Sequence, residues 1–370
     1  MNYDAITIDT NVIKAHGYRF DHGLLAQLAQ FRESPYDFLL SEIIVRETRK
    51  HLIKRSEDLR DRFTSAARSM VSSSMFGSAD QAQLTSLMEG LGSAEQDAEN
   101  KLQSFISMTG AEIIPIDGVG SRILTDMYFD ITPPFEDNVK KRKEFPDAMA
   151  LLSLSDWAKT NDKRLLVISE DSGWKSFADN NARIDVKTDL AEALAAFQEN
   201  IDKARELINR YVTALFSKDG DALKSEICDM IADQVAENDI TLEADSYVNV
   251  EVETGPIELE GFYPANISPV DSYSIVRISA DEIVVQLSVD LGVNIDYSAS
   301  FYTVDGIDKD YVSLGSEHAV LCINIDAKIL ITLSMDSLDS DAKLEVLEAE
   351  IVDAEDYINL GYLEPFGDED

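Results

Sequence analysis

Basic side chains are scarce in this chain: 32 Lys and Arg stand against 70 Asp and Glu in 370 residues, a formal net charge of −38. Such a balance excludes a protein that grips nucleic acid through bulk basicity, while leaving room for a local basic patch. Cysteine is scarcer still. The two present, Cys228 and Cys322, form no CxxC and no paired spacing, which argues against a disulfide scaffold and against a Cys-based zinc site. No stretch approaches the ~18 consecutive apolar residues of a membrane span. The opening residues, MNYDAITIDTN, lack a basic segment followed by an apolar core and so do not read as a signal peptide. A reducing, cytoplasmic location with no membrane contact is the expectation. The four histidines, His16, His22, His51 and His318, show neither metal nor triad spacing. Phosphate-binding glycine loops and nucleophile elbows are missing too, which removes NTPases and serine hydrolases.

What is present is an ordinary globular apolar content of 45%, too high for an acidic disordered tail. The length suits two domains or three. The charge is unevenly divided. Residues 1–200 hold 23 basic and 32 acidic side chains, whereas residues 201–370 hold 9 and 38, so the second part carries −29 of the −38.

Strand-like and helix-like segments alternate over the first ~200 residues, which implies βαβ units and a parallel sheet. The short apolar runs Ala5–Ile8, DFLL at 37–40, AEIIPI at 111–116 and RLLVIS at 164–169 read as strands. Ser41 precedes a long helix-favouring stretch, and the Ser-, Ala- and Gln-rich segment 72–100 reads as inserted helical pieces. Residues 186–240 look helical almost throughout. After Asp245 the pattern changes to about eight short segments of period-two alternation, at sandwich-like or barrel-like intervals. Acidic residues at many outward positions suggest an antiparallel sheet with one heavily charged face.

Four carboxylates fall where a parallel sheet would bring them together. Asp9 ends the first strand and Asp171 comes just after the strand LLVIS, both at carboxyl ends, where open α/β sheets bind ligands. Asp147 opens the helix leading into that strand, and Glu47 lies in the helix after Ser41. Crowded carboxylates repel one another, and a divalent cation relieves that repulsion. All-oxygen ligation favours Mg²⁺ or Mn²⁺ over zinc. Taken singly, each position also has an ordinary role: Asp147 as a helix cap, Asp171 as a turn residue.

Their local wording goes further. ITIDTN resembles the opening motif of the PIN domain, a family of metal-dependent nucleases, and IIVRE, ending at Glu47, is similar to its second acidic position. EFPDAMALLSLSDWA resembles the third motif, with Asp147 as the carboxylate, and LLVISEDSGWKSF the fourth, with Asp171. The match covers roughly residues 1–195. It is nearest a bacterial PIN-like branch in which KK…EFPDA comes after a PPF loop, here Pro133-Pro134-Phe135 and Lys140-Lys141. The resemblance implies a PIN-like parallel sheet flanked by helices, and divalent-metal-dependent cleavage of RNA. It makes Asp9, Glu47, Asp147 and Asp171 the catalytic, metal-binding carboxylates, with Thr10 and Asn11 supporting Asp9 through hydrogen bonds.

The expected organisation is therefore a PIN-like nuclease domain at 1–195 with a helical insertion at about 55–110, a helical connector at 196–244 and an acidic β-rich domain at 245–370. Lys140, Lys141, Arg142 and Lys143 form a basic run just before Asp147, and Arg46, Arg49, Lys50, Lys54 and Arg55 surround Glu47. Both clusters suit an RNA backbone, and the ordinary reading of each is a solvated helix face. Trp157 and Trp174, beside motif positions, read as packing groups. The leading expectation is a Mg²⁺- or Mn²⁺-dependent endoribonuclease, of a kind that serves as a toxin or defence effector. The alternative is a regulatory or binding protein whose acidic C-terminal module mimics nucleic acid or docks a basic partner. Oligomeric state is left open, a homo-oligomer included.

Overall fold

The computed structural model describes residues 3–73, 77–136, 144–265, 272–304, 311–339 and 342–365. The chain divides into two compact units, Met1–Phe197 and Gln198–Asp370.

The first unit runs β1 (Ala5–Ile8), α1 (Thr10–Ala15), α2 (Gly23–Ala26), β2 (Asp37–Ser41), α3 (Glu42–Ser72), α4 (Ser78–Gly90), α5 (Ala94–Thr109), β3 (Glu112–Ile114), α6 (Ser121–Phe129), α7 (Phe145–Thr160), β4 (Leu165–Ile168), α8 (Ser172–Ala178), β5 (Ile184–Lys187) and α9 (Leu190–Ala195). The five strands form one parallel sheet in the order β3-β2-β1-β4-β5. Helices cover both faces, so the central strands need mostly apolar side chains in both directions, and this is why AITI, with the single polar residue Thr7, and LLVI do not alternate polar with apolar. Every residue of β1 and β4 is buried. Small residues on α7, Ala148, Ala150 and Ala158, let that helix lie close, and Leu151 and Leu154 fill the space between. One polar contact sits in this layer, Ser153 Oγ against Ser41 Oγ at 3.1 Å. The strand order turns outward in opposite directions from β1 and β4, placing a crevice at their carboxyl ends.

The segment between β2 and β3 is helical. Ser41 caps α3 by accepting from the Ile43 N–H at 3.4 Å, and Ser93 caps α5 through the Gln96 N–H at 3.2 Å. Gly110 ends α5 with a φ of 67°, a left-handed turn that glycine adopts without a Cβ clash. On α5, Phe105 stacks on Phe20 with centroids 4.3 Å apart. Arg49 of α3 pairs with Glu99 of α5 at 2.9 Å, and Arg60 pairs with Asp97.

In the second unit, α10 (Ile201–Leu215) and α11 (Asp221–Ala236) precede β6 (Thr241–Asp245), β7 (Asn249–Pro264), β8 (Tyr273–Ile278), β9 (Glu282–Val304), β10 (Tyr311–Met335), β11 (Leu344–Ala354) and β12 (Tyr357–Tyr362). An antiparallel sheet is ordered β11-β10-β9-β7, with β8 also paired to β9, and β6 and β12 form a separate parallel pair. One sheet face packs on the two helices. Ile283, Val285, Leu287, Val289, Leu291, Val293 and Ile295 of β9 all join a core with Leu207, Ile208, Ile227 and Ile231. The even-numbered residues of the same stretch face the other way.

The eight short strands expected here are fewer and longer. YVNVEVE and IELEGFY are one strand, β7. EIVVQLSV and VNIDYSASFYT are both β9, and AVLCINID and KILITLSM are both β10. Gly255-Pro256, a turn signal in the sequence, instead falls in a register shift between Thr254 and Ile257 of β7. That strand lies at the sheet edge, where proline is tolerated. The arrangement is a single sheet backed by helices rather than a sandwich or barrel. Among the described residues no helix is long and apolar enough to cross a membrane.

Leu151 is fully buried between α7 and the sheet, so Leu151→Ala is expected to lower the stability of the first unit by about 2–5 kcal/mol. Both tryptophans of the chain, Trp157 and Trp174, lie in that unit. Denaturant unfolding followed by their fluorescence therefore reports it directly.

Candidate active site

The carboxyl ends of β1 and β4 gather most of the chemistry. Chain reversal after β1 makes Asp9 the residue that precedes α1, and its backbone N–H bonds the Ile168 carbonyl of β4 at 2.9 Å. Its side chain is turned into the crevice and is only 3% exposed. Ser169, just past β4 and also buried, donates its hydroxyl to Asp9 Oδ2 at 3.0 Å, and Asn11 Nδ2 reaches the same oxygen at 3.4 Å. The Ser169 hydroxyl also accepts from the Asp171 N–H at 3.1 Å. One side chain thereby ties the two strand ends together.

Asp171 heads α8, with Oδ1 accepting the Gly173 N–H at 2.6 Å. A side chain at position 173 would press on that oxygen at 2.9 Å and on Pro134 Cβ at 3.1 Å. Glycine is needed here because the Pro133-Pro134 loop passes so close. Glu47, on the second turn of α3, accepts from Thr10 Oγ1 at 2.9 Å. Asp147, in the first turn of α7, accepts from the Trp174 indole N–H at 3.2 Å.

Electrostatics show these four acids sharing one locale. Burial pushes the Asp147 carboxyl up to about 7; the Trp174 hydrogen bond opposes this, and the charges of Asp9, Glu47 and Asp171 add to it. Burial likewise raises Asp9, opposed by Ser169 and by the N–H groups of Thr10 and Asn11, with Glu47 raising it further. Repulsion of this kind is what a cation would relieve, and the donors are hard oxygen ligands of the type that Mg²⁺ and Mn²⁺ accept. Among the described residues, no three His, Cys, Asp or Glu side chains are already drawn into a metal-holding cluster.

All four acidic positions singled out from sequence lie on elements that end at this crevice. Two supporting residues do more than expected. Thr10 supports Asp9 through its backbone N–H, and its hydroxyl, turned toward α3, bonds Glu47. Trp174 both packs, at 1% exposed, and orients Asp147. Ser169 is not singled out by sequence reasoning. Its signal is a polar residue closing an apolar strand two positions before an aspartate, a pattern too common to select. Of the basic residues around Glu47, Arg46 pairs with Glu42, Arg49 with Glu99, and Arg55 lies 5.9 Å from the Tyr18 ring centre. Lys50 and Lys54 are exposed on α3. Lys140, Lys141, Arg142 and Lys143 lie outside the described residues.

The raised Asp147 pKa has a stability consequence. A carboxyl whose folded pKa lies above its unfolded value of ~3.9 favours folding when protonated, and loses that contribution as pH rises toward 7. With a chelator present, the wild-type chain should therefore lose about 1–3 kcal/mol more than Asp147→Asn between about pH 5 and pH 8, after discounting for partial solvent exposure. Thermal melts across that range check this, and parallel profiles would refute it.

A family model described as PIN domain matches residues 6–174. No curated protein and no solved structure matched the chain. The matched segment takes in all five strand-end and helix positions described above, from Asp9 through Glu47 and Asp147 to Ser169 and Asp171. Residues 6–174 of the N-terminal unit are thus similar to the PIN domain, a family of nucleases, and the match supports that assignment for this unit.

Proposed function

We propose that this protein is a divalent-metal-dependent endoribonuclease, with Asp9, Glu47, Asp147 and Asp171 as its metal-binding carboxylates. The observation that carries the reading is the electrostatic coupling at the crevice, where Asp147 is raised by burial and then by each of the other three acids. An arrangement that costs stability in the free protein is expected where ligand binding offsets it. When bound, Mg²⁺ or Mn²⁺ supplies acidification of water and neutralisation of phosphate charge.

The remaining work falls to the chain's own groups. Ser169 and Asn11 hold Asp9 by one oxygen, and Thr10 holds Glu47 against rotation away from the crevice. The Trp174 indole fixes Asp147 by Oδ1, and the Gly173 N–H fixes Asp171 by Oδ1. Each carboxylate thus has at least one oxygen engaged and is held in place before any ligand arrives, which lowers the entropy lost on binding. Hydrolysis of this type needs no attack by the ribose 2′-hydroxyl, so the products would carry a 5′-phosphate and a 3′-hydroxyl.

Incubating the full chain with single-stranded RNA and Mn²⁺, beside Asp9→Asn and Asp171→Asn, tests the assignment. The wild type is expected to cleave and the variants to lose at least about a hundred-fold in rate; equal cleavage by all three would overturn it. Ser169→Ala keeps all four acids but removes one of the hydrogen bonds that hold Asp9, and is expected to lose about ten- to a hundred-fold, with a raised Mn²⁺ requirement. A metal titration of the cleavage rate measures both effects.

A further inference from the structure

The second unit leaves part of a long strand unpaired on one side. β10 pairs with β9 along almost its whole length, from Tyr311 to Ser334. β11 covers only Ala327–Met335 of its other side. Among the described residues, no strand pairs with that side between Tyr311 and Asp326.

One hydrogen bond fixes which backbone groups point outward there. The Asp326 carbonyl accepts from the Glu355 N–H at 3.0 Å, on the side away from β9. In an antiparallel ladder the outward-pointing residues alternate, so the N–H and C=O groups of Asn324, Cys322, Val320 and His318 also face away from β9. All four residues are exposed, whereas Ala319, Leu321 and Ile323 between them are partly buried. A row of unpaired donors and acceptors of this kind is a template for another strand.

The two faces beside this edge differ in chemistry. On the face packed against the helices, Leu321 and Ile323 lie against the apolar core. On the opposite face, β10 presents Asp326, and β9 presents Asp290 opposite it and Asp296 opposite Val320. β7 adds Glu253 and Glu258 on the same face, opposite Ser298 and Asn294. Lys328 is the one Lys or Arg in β7, β9 and β10, against nine Asp and Glu. Asp290 and Asp326 sit side by side, and burial and the neighbouring carboxyl both raise Asp290.

We propose that the free edge of β10, centred on His318–Asn324, is a docking site for an extended basic segment of a partner protein, which adds to the sheet as a further antiparallel or parallel strand. The added strand would carry Lys or Arg at alternate positions, facing the acidic side, and Val, Ile or Leu between them, beside Leu321 and Ile323. A second copy of the same edge is disfavoured, because pairing two copies would set one acidic face alongside another. This inference concerns the second unit alone and stands apart from the nuclease reading.

The test uses the full chain and two labelled eight-residue peptides, one alternating Lys and Val and the other alternating Glu and Val. Fluorescence anisotropy should show binding of the Lys–Val peptide alone, weakening with added salt. Val320→Pro removes one outward N–H and no bond to β9, so the sheet should survive, as circular dichroism will check. This variant should bind the Lys–Val peptide at least about ten-fold more weakly, the equivalent of one or two lost hydrogen bonds. Asp296→Asn with Asp326→Asn should weaken binding and flatten its salt dependence. Hydrogen exchange should slow at the amides of His318, Val320, Cys322 and Asn324 when the peptide is bound. No binding of the Lys–Val peptide, or equal affinity for Val320→Pro without protection of those amides, would overturn the proposal. Concentration-dependent self-association abolished by Val320→Pro would assign the edge to a second copy instead.

Discussion

Asp9, Glu47, Asp147 and Asp171 repel one another at the end of a sheet whose central strands are fully buried, and the rest of the first unit is arranged around keeping them there. Left free, such groups would separate into water. They stay because β1 and β4 are buried on both faces and cannot shift without exposing Ile6, Ile8, Leu166 and Ile168. α7 is held against the same sheet by its alanines and by the Ser41–Ser153 contact. The hydrophobic layer supplies the rigidity, and the hydroxyls of Ser169 and Thr10 and the indole of Trp174 convert it into fixed carboxylate orientations. The result is a crevice with an excess of negative potential.

The second unit handles its charge differently. Its surplus carboxylates are spread along the outer face of long antiparallel strands, while the inner face builds a core with α10 and α11. Repulsion between carboxylates on the exposed part of that face is weak because water screens it. The same charge limits which strand can join at the free edge of β10. Negative charge is thus distributed in two ways in one chain: concentrated at the crevice in the first unit, and spread along the sheet in the second.

Parallel strands were readable in the first unit because burial on both faces writes itself as short, mainly apolar runs without period-two alternation, and AITI, DFLL and LLVI are of that kind. The acidic positions were readable because strand ends in such a sheet share one edge, and the flanking wording singled out four among 70 Asp and Glu. Strand continuity in the second unit was not readable. Gly255-Pro256, Asp290 and Asp326 look like turn residues in a linear reading, yet the sheet absorbs the first pair as a bulge and carries the two aspartates opposite each other in mid-strand. Turn propensity is a local quantity, and cross-strand pairing over more than twenty residues outweighs it.

By itself the sequence determined the class of each half: apolar runs alternating with helical segments for a parallel sheet, period-two alternation for an antiparallel one, and carboxylates at positions where strands end. These depend on side-chain periodicity and on the residue types just beyond each strand, both local in the chain. Only the tertiary structure decided which donors hold which acid, that Thr10 serves Glu47 and Ser169 serves Asp9, and that β10 outruns β11 and leaves an edge bare. Such pairings join residues far apart in sequence, and they arise from how sheets and helices pack rather than from any short stretch of chain.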